Sequence, residues 1–328
     1  MNKYNETGIS QNTLALLLKK DRAQISRFLS KYKINPISNE IKSKRFNPKD
    51  CRIISKNYTK GIKKDHIPQI LSFYNFKGGT GKTSICFQVA SHLALLGFEV
   101  LVIDSDPQAH LTTTLGISPY HESPTLFDVI GKTVKIQETI IPVFSGLSCI
   151  PSNLALTRLE VTLNQLPKRE EQLSKHIEKI QKNYDYIIFD TNPTISLLNR
   201  NILVSSDIVN IVCETQPYSL NGLKILVEDM GSFFDNMGMK FPELIVIPNK
   251  YEDRSSNSAE AMTVLRQYYS NHMMPDFAVR KSEDIVMSSK NGLPLAFFAR
   301  KNSIAFEDIL DLCYFLINNT QRKNSEAA

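Results

Sequence analysis

Several functional classes are excluded by what this 328-residue chain lacks. Its five cysteines, Cys51, Cys86, Cys149, Cys213 and Cys313, lie far apart and form no CxxC pair. That argues against a zinc site or a disulfide framework and fits a reducing cytoplasm. No run of eighteen apolar residues is present, so no membrane span is expected. The opening "MNKYNETGIS" has no apolar stretch, so no signal peptide is expected. Internal repeats and low-complexity tracts are also missing. What remains is an ordinary soluble composition, long enough for one large domain and one small one.

Charge divides the chain unevenly. Residues 1–66 hold 16 Lys/Arg against 5 Asp/Glu, a balance of +11, while the whole chain carries +6. The basic character therefore belongs to the N-terminal fifth, which suggests a polyanionic partner for that segment. The organisation expected is a basic extension and linker over 1–66 and a large domain over 67–328. Residues 9–36 have helical periodicity, and 37–66 read as a polar, basic linker.

Beyond residue 67, apolar strands alternate with helical segments. Strands are expected at 69–76, 99–104, 147–152, 184–190, 206–214 and 243–249. A helix is expected after the glycine-rich stretch, ending at Gly97, and a charged amphipathic helix over 168–183. Continuous apolar strands separated by helices predict an α/β fold, a mostly parallel sheet with helices on both faces.

The stretch "YNFKGGTGKTS" (74–84) joins the first strand to the first of these helices. Gly78, Gly79 and Gly81 let the backbone curl so that its N–H groups face phosphate oxygens. Thr80 and Ser84 belong to the same loop. The following helix adds its positive N-terminal end. Lys82 is placed to reach the β- and γ-phosphates, and Thr83 to offer its hydroxyl to Mg²⁺. "YDYIIFD" (184–190) puts Asp190 at a strand tip, where a carboxylate would hold Mg²⁺ through a water.

The general pattern GxxxxGK[ST] is not met, because Phe76 stands where its first glycine belongs. The loop instead reads Lys77-Gly78-Gly79-Thr80-Gly81-Lys82-Thr83. This form resembles the deviant phosphate loop of the ParA, MinD and nitrogenase iron protein group. "DSDPQ" (104–108) resembles that group's switch segment, and the Asp190 strand its Walker B strand, with Asn192 where a proline is usual. The resemblance runs over roughly 68–315. It implies a P-loop NTPase that binds ATP and Mg²⁺, with three catalytic residues: Lys77, Lys82 and Asp106. Lys77 would contact the nucleotide of a second subunit, Asp106 would orient the attacking water, and Asp104 would support the Mg²⁺ shell. Pro248 and Asn249 would lie beside the base, and Glu252 in place of Asp argues against a guanine-reading NKxD motif.

The absence of cluster cysteines in a glycine-flanked context sets the chain apart from the iron protein. The lack of a basic amphipathic C-terminal helix sets it apart from MinD, so no membrane role is expected. ParA-like features remain. They imply a nucleoid-associated partition ATPase whose ATP-bound homodimer grips DNA and whose hydrolysis a ParB-like centromere-binding protein stimulates. By the same likeness, Arg280, Lys281, Lys290, Arg300 and Lys301 would face DNA. An ATP-gated transcriptional regulator and a positioner of protein cargo are the alternatives.

In the basic N-terminus, "NTLALLLKKDRAQISRFLSKYKI" (12–34) reads as helix, break, helix. Leu14, Ala15, Leu18, Ile25, Phe28 and Leu29 would share a buried face, and Asp21 would cap the second helix. That helix would turn Arg22, Gln24, Ser26, Arg27 and Lys31 outward, as a helix-turn-helix does toward a major groove. Lys19 stands where such a turn usually has glycine. "KSKRFNPKDCRIISKNY" (42–58) resembles the segment that follows such helices in MerR-like domains, with Arg45-Phe46 preceding an acidic-capped helix. An N-terminal DNA-binding module of this kind resembles that of the longer plasmid ParA proteins, which also repress their own operon; a helical hairpin for dimerisation is the other reading.

Overall fold

A computed structural model describes residues 3–37, 44–59, 67–120, 123–300 and 302–326, with the side chains beyond 320 left aside. Eight strands form one sheet: β3 (Gln69–Tyr74), β4 (Val100–Asp104), β5 (Ile141–Phe144), β6 (Leu147–Ile150), β7 (Tyr186–Asp190), β8 (Ile208–Glu214), β9 (Glu243–Tyr251) and β10 (Val279–Arg280). Their order is β10-β9-β8-β3-β7-β4-β6-β5, and every pair is parallel except β5 with β6.

Both sheet faces are covered. Leu71 and Phe73 of β3, Val100 and Val102 of β4, and Tyr186 and Ile188 of β7 enter one apolar cluster. Their neighbours Leu101, Ile103, Ile187 and Phe189 enter a second cluster on the other face. Neither face meets water, so these strands read as unbroken apolar runs. The parallel arrangement also brings the C-terminal ends of β3, β7 and β4 side by side, with Asp104 opposite Asp190 in register.

Two expectations need correction. The charged segment 168–183 is not one helix; it holds a short turn of helix at Ser174–Ile177 and a 3₁₀ turn at Gln181–Asn183. Lys168 is left-handed, at φ 47°. Asn201 then captures the segment's backbone from outside: its Nδ2 donates to Arg169 O at 2.7 Å, and its Oδ1 accepts from Leu173 N at 3.1 Å. Tertiary hydrogen bonds override a favourable charge pattern. The second correction concerns the linker reading of 37–66, which gives way to the helix after Arg45-Phe46 that the MerR-like resemblance implied. Arg45–Phe46 (β2) pairs antiparallel with Ile9–Ser10 (β1), and Pro48–Tyr58 is a helix capped by Asn47. Residues 38–43 and 60–66 of that segment lie outside the described residues.

The N-terminal helices Gln11–Leu17 and Arg22–Lys31 are joined by a turn in which Lys19 adopts φ 50°. Asp21 caps the second helix through Gln24 N at 2.7 Å. Leu14, Ala15, Leu18, Ile25 and Leu29 are buried, with Phe28 packed against them.

That buried face continues into the large domain. The same cluster includes Phe297, Phe306 and Leu310, and the Tyr4 ring lies 4.9 Å from that of Phe144. Arg52 donates to the Ala94 and Phe98 carbonyls and forms a 2.6 Å ion pair with Glu99. Arg45 donates to Phe297 O at 2.8 Å, and Lys3 to Thr114 O at 3.1 Å.

Candidate nucleotide site

The loop after β3 runs into the helix Lys82–Leu95. Gly79 and Gly81 have φ of 78° and 91°, a region that disfavours a side chain. A Cβ on Gly81 would also meet Asn249 Nδ2 at 2.4 Å, whereas one on Gly78 or Gly79 would meet nothing within 4 Å. The loop is therefore gripped on one side and open on the other. Open backbone N–H groups at a helix start suit an anion.

Lys82 is buried, at 6% exposure, and its ammonium rests on Lys77 O at 3.2 Å. Burial lowers its pKa; Asp190 and Asp106 oppose that shift. Asp190 is fully buried, and neither carboxylate oxygen has a hydrogen-bonding partner among the described residues. Burial, then the charge of Asp104, pushes its carboxyl well above the ordinary range, while the Thr83 hydroxyl and Lys82 pull the other way. A buried, unpartnered carboxylate is costly, and a bound cation would relieve that cost. Among the described residues no three His, Cys, Asp or Glu side chains converge to hold a metal unaided. Mg²⁺ usually takes one or two carboxylates together with ligand phosphates, and the orphaned Asp190 carboxylate fits that role. The Thr80 hydroxyl is also buried without a partner.

Asp104, expected to support the Mg²⁺ shell, is tied into the switch segment. Its Oδ2 accepts from Thr112 N at 2.8 Å and Thr112 Oγ1 at 2.6 Å, and its Oδ1 from Asp106 N at 3.1 Å. Burial raises its pKa to about 6 against those hydrogen bonds. Here it shapes the switch segment and has little free acceptor capacity. Asp106 is partly exposed; its Oδ1 accepts from Gln108 N at 2.9 Å, and its carbonyl accepts from Ser152 Oγ at 2.6 Å. Its second carboxylate oxygen is directed to no partner described here.

Lys77 lies outside the cradle that Lys82 fills. Its Nζ donates to Glu214 Oε2 and to Ser219 Oγ, both at 2.9 Å. Glu214 also accepts from Lys250 Nζ at 2.6 Å, and Lys250 reaches Gly79 O at 2.6 Å. Burial pushes the Glu214 pKa up, but the hydrogen bonds from Lys250 and Lys77 outweigh it and the net shift is downward. Asn249 donates to Thr80 O at 2.7 Å, and Pro248 is buried in β9 opposite Cys213. Ser84 pairs with Ser289 at 3.1 Å, turned toward the helix Glu283–Asn291.

Glu214 and Lys250 escaped the sequence reading. A carboxylate at the end of the strand beside the loop strand was the available signal for the first. For the second it was a lysine next to Asn249.

The basic residues expected at DNA separate into groups. Arg22, Arg27 and Lys31 are exposed on the second N-terminal helix, whereas Gln24 Oε1 accepts from Asp21 N and completes the cap. Arg280 is tied to Asp308 in a bidentate pair, and Lys281 to Glu252 at 2.8 Å. Lys290 and Arg300 are exposed, and Lys301 lies outside the described residues.

Loop, switch aspartates and strand order define a P-loop NTPase with the deviant, two-lysine loop. A family profile described as an AAA domain matches residues 68–241. The chain is 31% identical over 241 residues to the cell division protein PomZ of Myxococcus xanthus, covering 72% of this chain and 74% of that one. Chromosome partitioning protein ParA of Caulobacter vibrioides is 26% identical over 263 residues, covering 79% and 98%. Among solved structures, a Cyanothece McdA variant in complex with ATP matches with a TM-score of 0.69 at 22% identity, covering 77% of this chain and 97% of that one. The chain belongs to this AAA-domain family and, within it, to the ParA family of P-loop ATPases. No helix among the described residues is long and apolar enough to cross a membrane.

Proposed function

We propose that this protein is an ATP-dependent partition ATPase whose nucleotide state controls a dimer that binds DNA. The carrying observation is the position of Lys77. Lys82 alone occupies the cradle, while Lys77 is held outside it on Glu214 and Ser219. A second loop lysine left unused by its own subunit's cradle is available to the nucleotide of another. There it would stabilise charge developing on the transferred phosphate.

ATP would sit with its phosphates on the loop N–H groups and Lys82. Thr83 and Asp190 would hold Mg²⁺, which neutralises phosphate charge. Asp106 would orient the attacking water through its free carboxylate oxygen. The Asp104–Thr112 hydrogen bonds keep the switch backbone in register with that task. A ParB-like protein would stimulate turnover, and the homodimer would contact DNA phosphates, as Lys290 and Arg300 are free to do. A positioner of protein cargo would use the same cycle. A second reading, ATP-gated operator binding and autorepression, is favoured by the exposed Arg22, Arg27 and Lys31.

Binding to random-sequence duplex DNA tests the reading. With ATP, the wild-type chain should bind with a steep salt dependence; with ADP it should not. Asp106→Ala should stay bound while ATP lasts. Lys77→Ala should bind ATP but fail to dimerise. Nucleotide-independent binding that disappears in Arg22→Ala/Arg27→Ala would overturn partition in favour of the regulator.

A further inference from the structure

Two consecutive residues at the end of β9 hold the outside of the phosphate loop. Lys250 Nζ takes Gly79 O at 2.6 Å, and Asn249 Nδ2 takes Thr80 O at 2.7 Å. A trans peptide points its N–H away from its C=O, and no peptide bond among the described residues is cis. Fixing the Gly79 carbonyl therefore fixes the direction of the Thr80 N–H, and fixing the Thr80 carbonyl fixes that of Gly81. Lys250 adopts φ 57° to make its contact, an unusual backbone state for a lysine.

Lys250 does not act alone. Glu214 accepts from it at one oxygen, at 2.6 Å, and from Lys77 at the other, at 2.9 Å. The Glu214 side chain is 17% exposed, while the two lysine side chains are 43% and 44% exposed. One half-enclosed carboxylate thus joins the lysine that shapes the loop to the lysine assigned above to the second subunit. Asn75 anchors the same turn, accepting from Lys77 N at 2.9 Å and donating to Val212 O at 2.9 Å. The Lys77 backbone is thereby fixed, and its side chain is left as the movable part.

We infer that Glu214 and Lys250 are positioning residues with separate tasks: Lys250 sets the loop for phosphate, and Glu214 retains Lys77 until a second subunit competes for it. This rests on the trans reading of Lys77. Dimerisation must break the Lys77–Glu214 ion pair, so the strength of that pair helps set the ATP concentration at which dimers form. Glu214 keeps a partner in Lys250 when Lys77 leaves, so the departure does not strand its charge.

The experiment measures ATP-driven dimerisation by sedimentation and ADP affinity of the monomer by calorimetry, on the full chain. Glu214→Gln should dimerise at about three- to tenfold lower ATP, as expected for losing one partly exposed ion pair. Its ADP affinity should stay within about twofold of wild type. Lys250→Met should show the reverse, with ADP affinity down about tenfold, as for one charge-assisted hydrogen bond, and dimerisation reduced only in proportion. A parallel rise in ADP affinity in Glu214→Gln would mean general repulsion of phosphate and would overturn the retention role. Unchanged dimerisation in Glu214→Gln would also overturn it, provided Lys77→Ala has lost the dimer. If Lys77→Ala dimerises normally, the trans reading itself fails. Adding Glu214→Gln to Lys77→Ala should change nothing, because the lysine it releases is gone.

Discussion

The helix Lys82–Leu95 meets opposite conditions at its two ends. At its start, Asp190 lies buried without a partner, the Thr80 hydroxyl is likewise unsatisfied, and Lys82 borrows a carbonyl from the loop. Just beyond its finish, Arg52 occupies the Ala94 and Phe98 carbonyls and reaches Glu99, which Lys56 also contacts at 3.0 Å. The first end keeps the orphaned Asp190 and Thr80 groups, whereas at the other the Arg52 contacts meet backbone carbonyls and hold the N-terminal segment in place. The N-terminal segment is therefore part of the same packed body, and substitutions at the two ends should fail in different ways.

The largest contrast is between Arg52→Ala and Lys82→Ala. Removing the Arg52 guanidinium leaves buried carbonyls unmet and should cost about 3 kcal/mol of stability. Its ADP affinity should be near wild type at temperatures where the fold persists. Lys82→Ala should keep its unfolding midpoint and lose about a hundredfold in nucleotide affinity. Chemical denaturation and calorimetry read the two effects. A stable Arg52→Ala, or an unfolded Lys82→Ala, would erase the contrast.

His92, near the middle of the C-terminal half, sharpens it. Its Nδ1 donates to Gln88 O at 2.6 Å, and its Nε2 accepts from Ala296 N at 3.3 Å. A second proton would face the Ala296 N–H in a dry core. Burial accordingly lowers its pKa from 6.5 to about 4, against the hydrogen bond to Gln88. The unfolded chain then binds a proton that the folded chain refuses. Stability present above pH 6.5 should fall as pH drops toward about 4, by as much as about 3 kcal/mol. Urea midpoints of wild type and His92→Gln between pH 7.5 and about 4 isolate this effect from carboxylates titrating in the same range. Equal slopes would exclude His92 as its source.

How much of this was legible follows from where the information lies. The loop glycines, Lys82, Thr83 and Asp190 are local: a turn chemistry and a strand tip fix their place in a few consecutive letters. The parallel sheet was equally plain, because strands buried on both faces carry no polar alternation. Glu214 and Lys250 were hidden because their meaning depends on β8 lying beside β3 and β9 beside β8, the first an adjacency more than a hundred residues long in sequence. The segment 168–183 misled for the same reason, since Asn201 is what diverts its backbone. Arg52 looked like one more linker charge; only packing turns it inward. Charge counting placed the basic character in the N-terminal fifth and could not separate Arg280, bound to Asp308, from the exposed Arg300.

The smallest expected effect concerns the exposed cap of the second N-terminal helix. Asp21 and Gln24 form a reciprocal cap, with Gln24 N donating to Asp21 Oδ1 at 2.7 Å and Asp21 N to Gln24 Oε1 at 3.3 Å. Asp21→Ala should cost about 1 kcal/mol, seen as faster amide exchange confined to Arg22–Lys31. Gln24→Ala should cost less, because it leaves the stronger half of the cap intact. Duplex binding then distinguishes the roles open to this helix. If Gln24 is only a cap, its loss should leave DNA affinity unchanged while Arg27→Ala weakens it. If Gln24 leaves the cap to read a base edge, Gln24→Ala should lower affinity for a specific site and spare random sequence. In the first case the helix contributes charge to a partition clutch. In the second it recognises an operator.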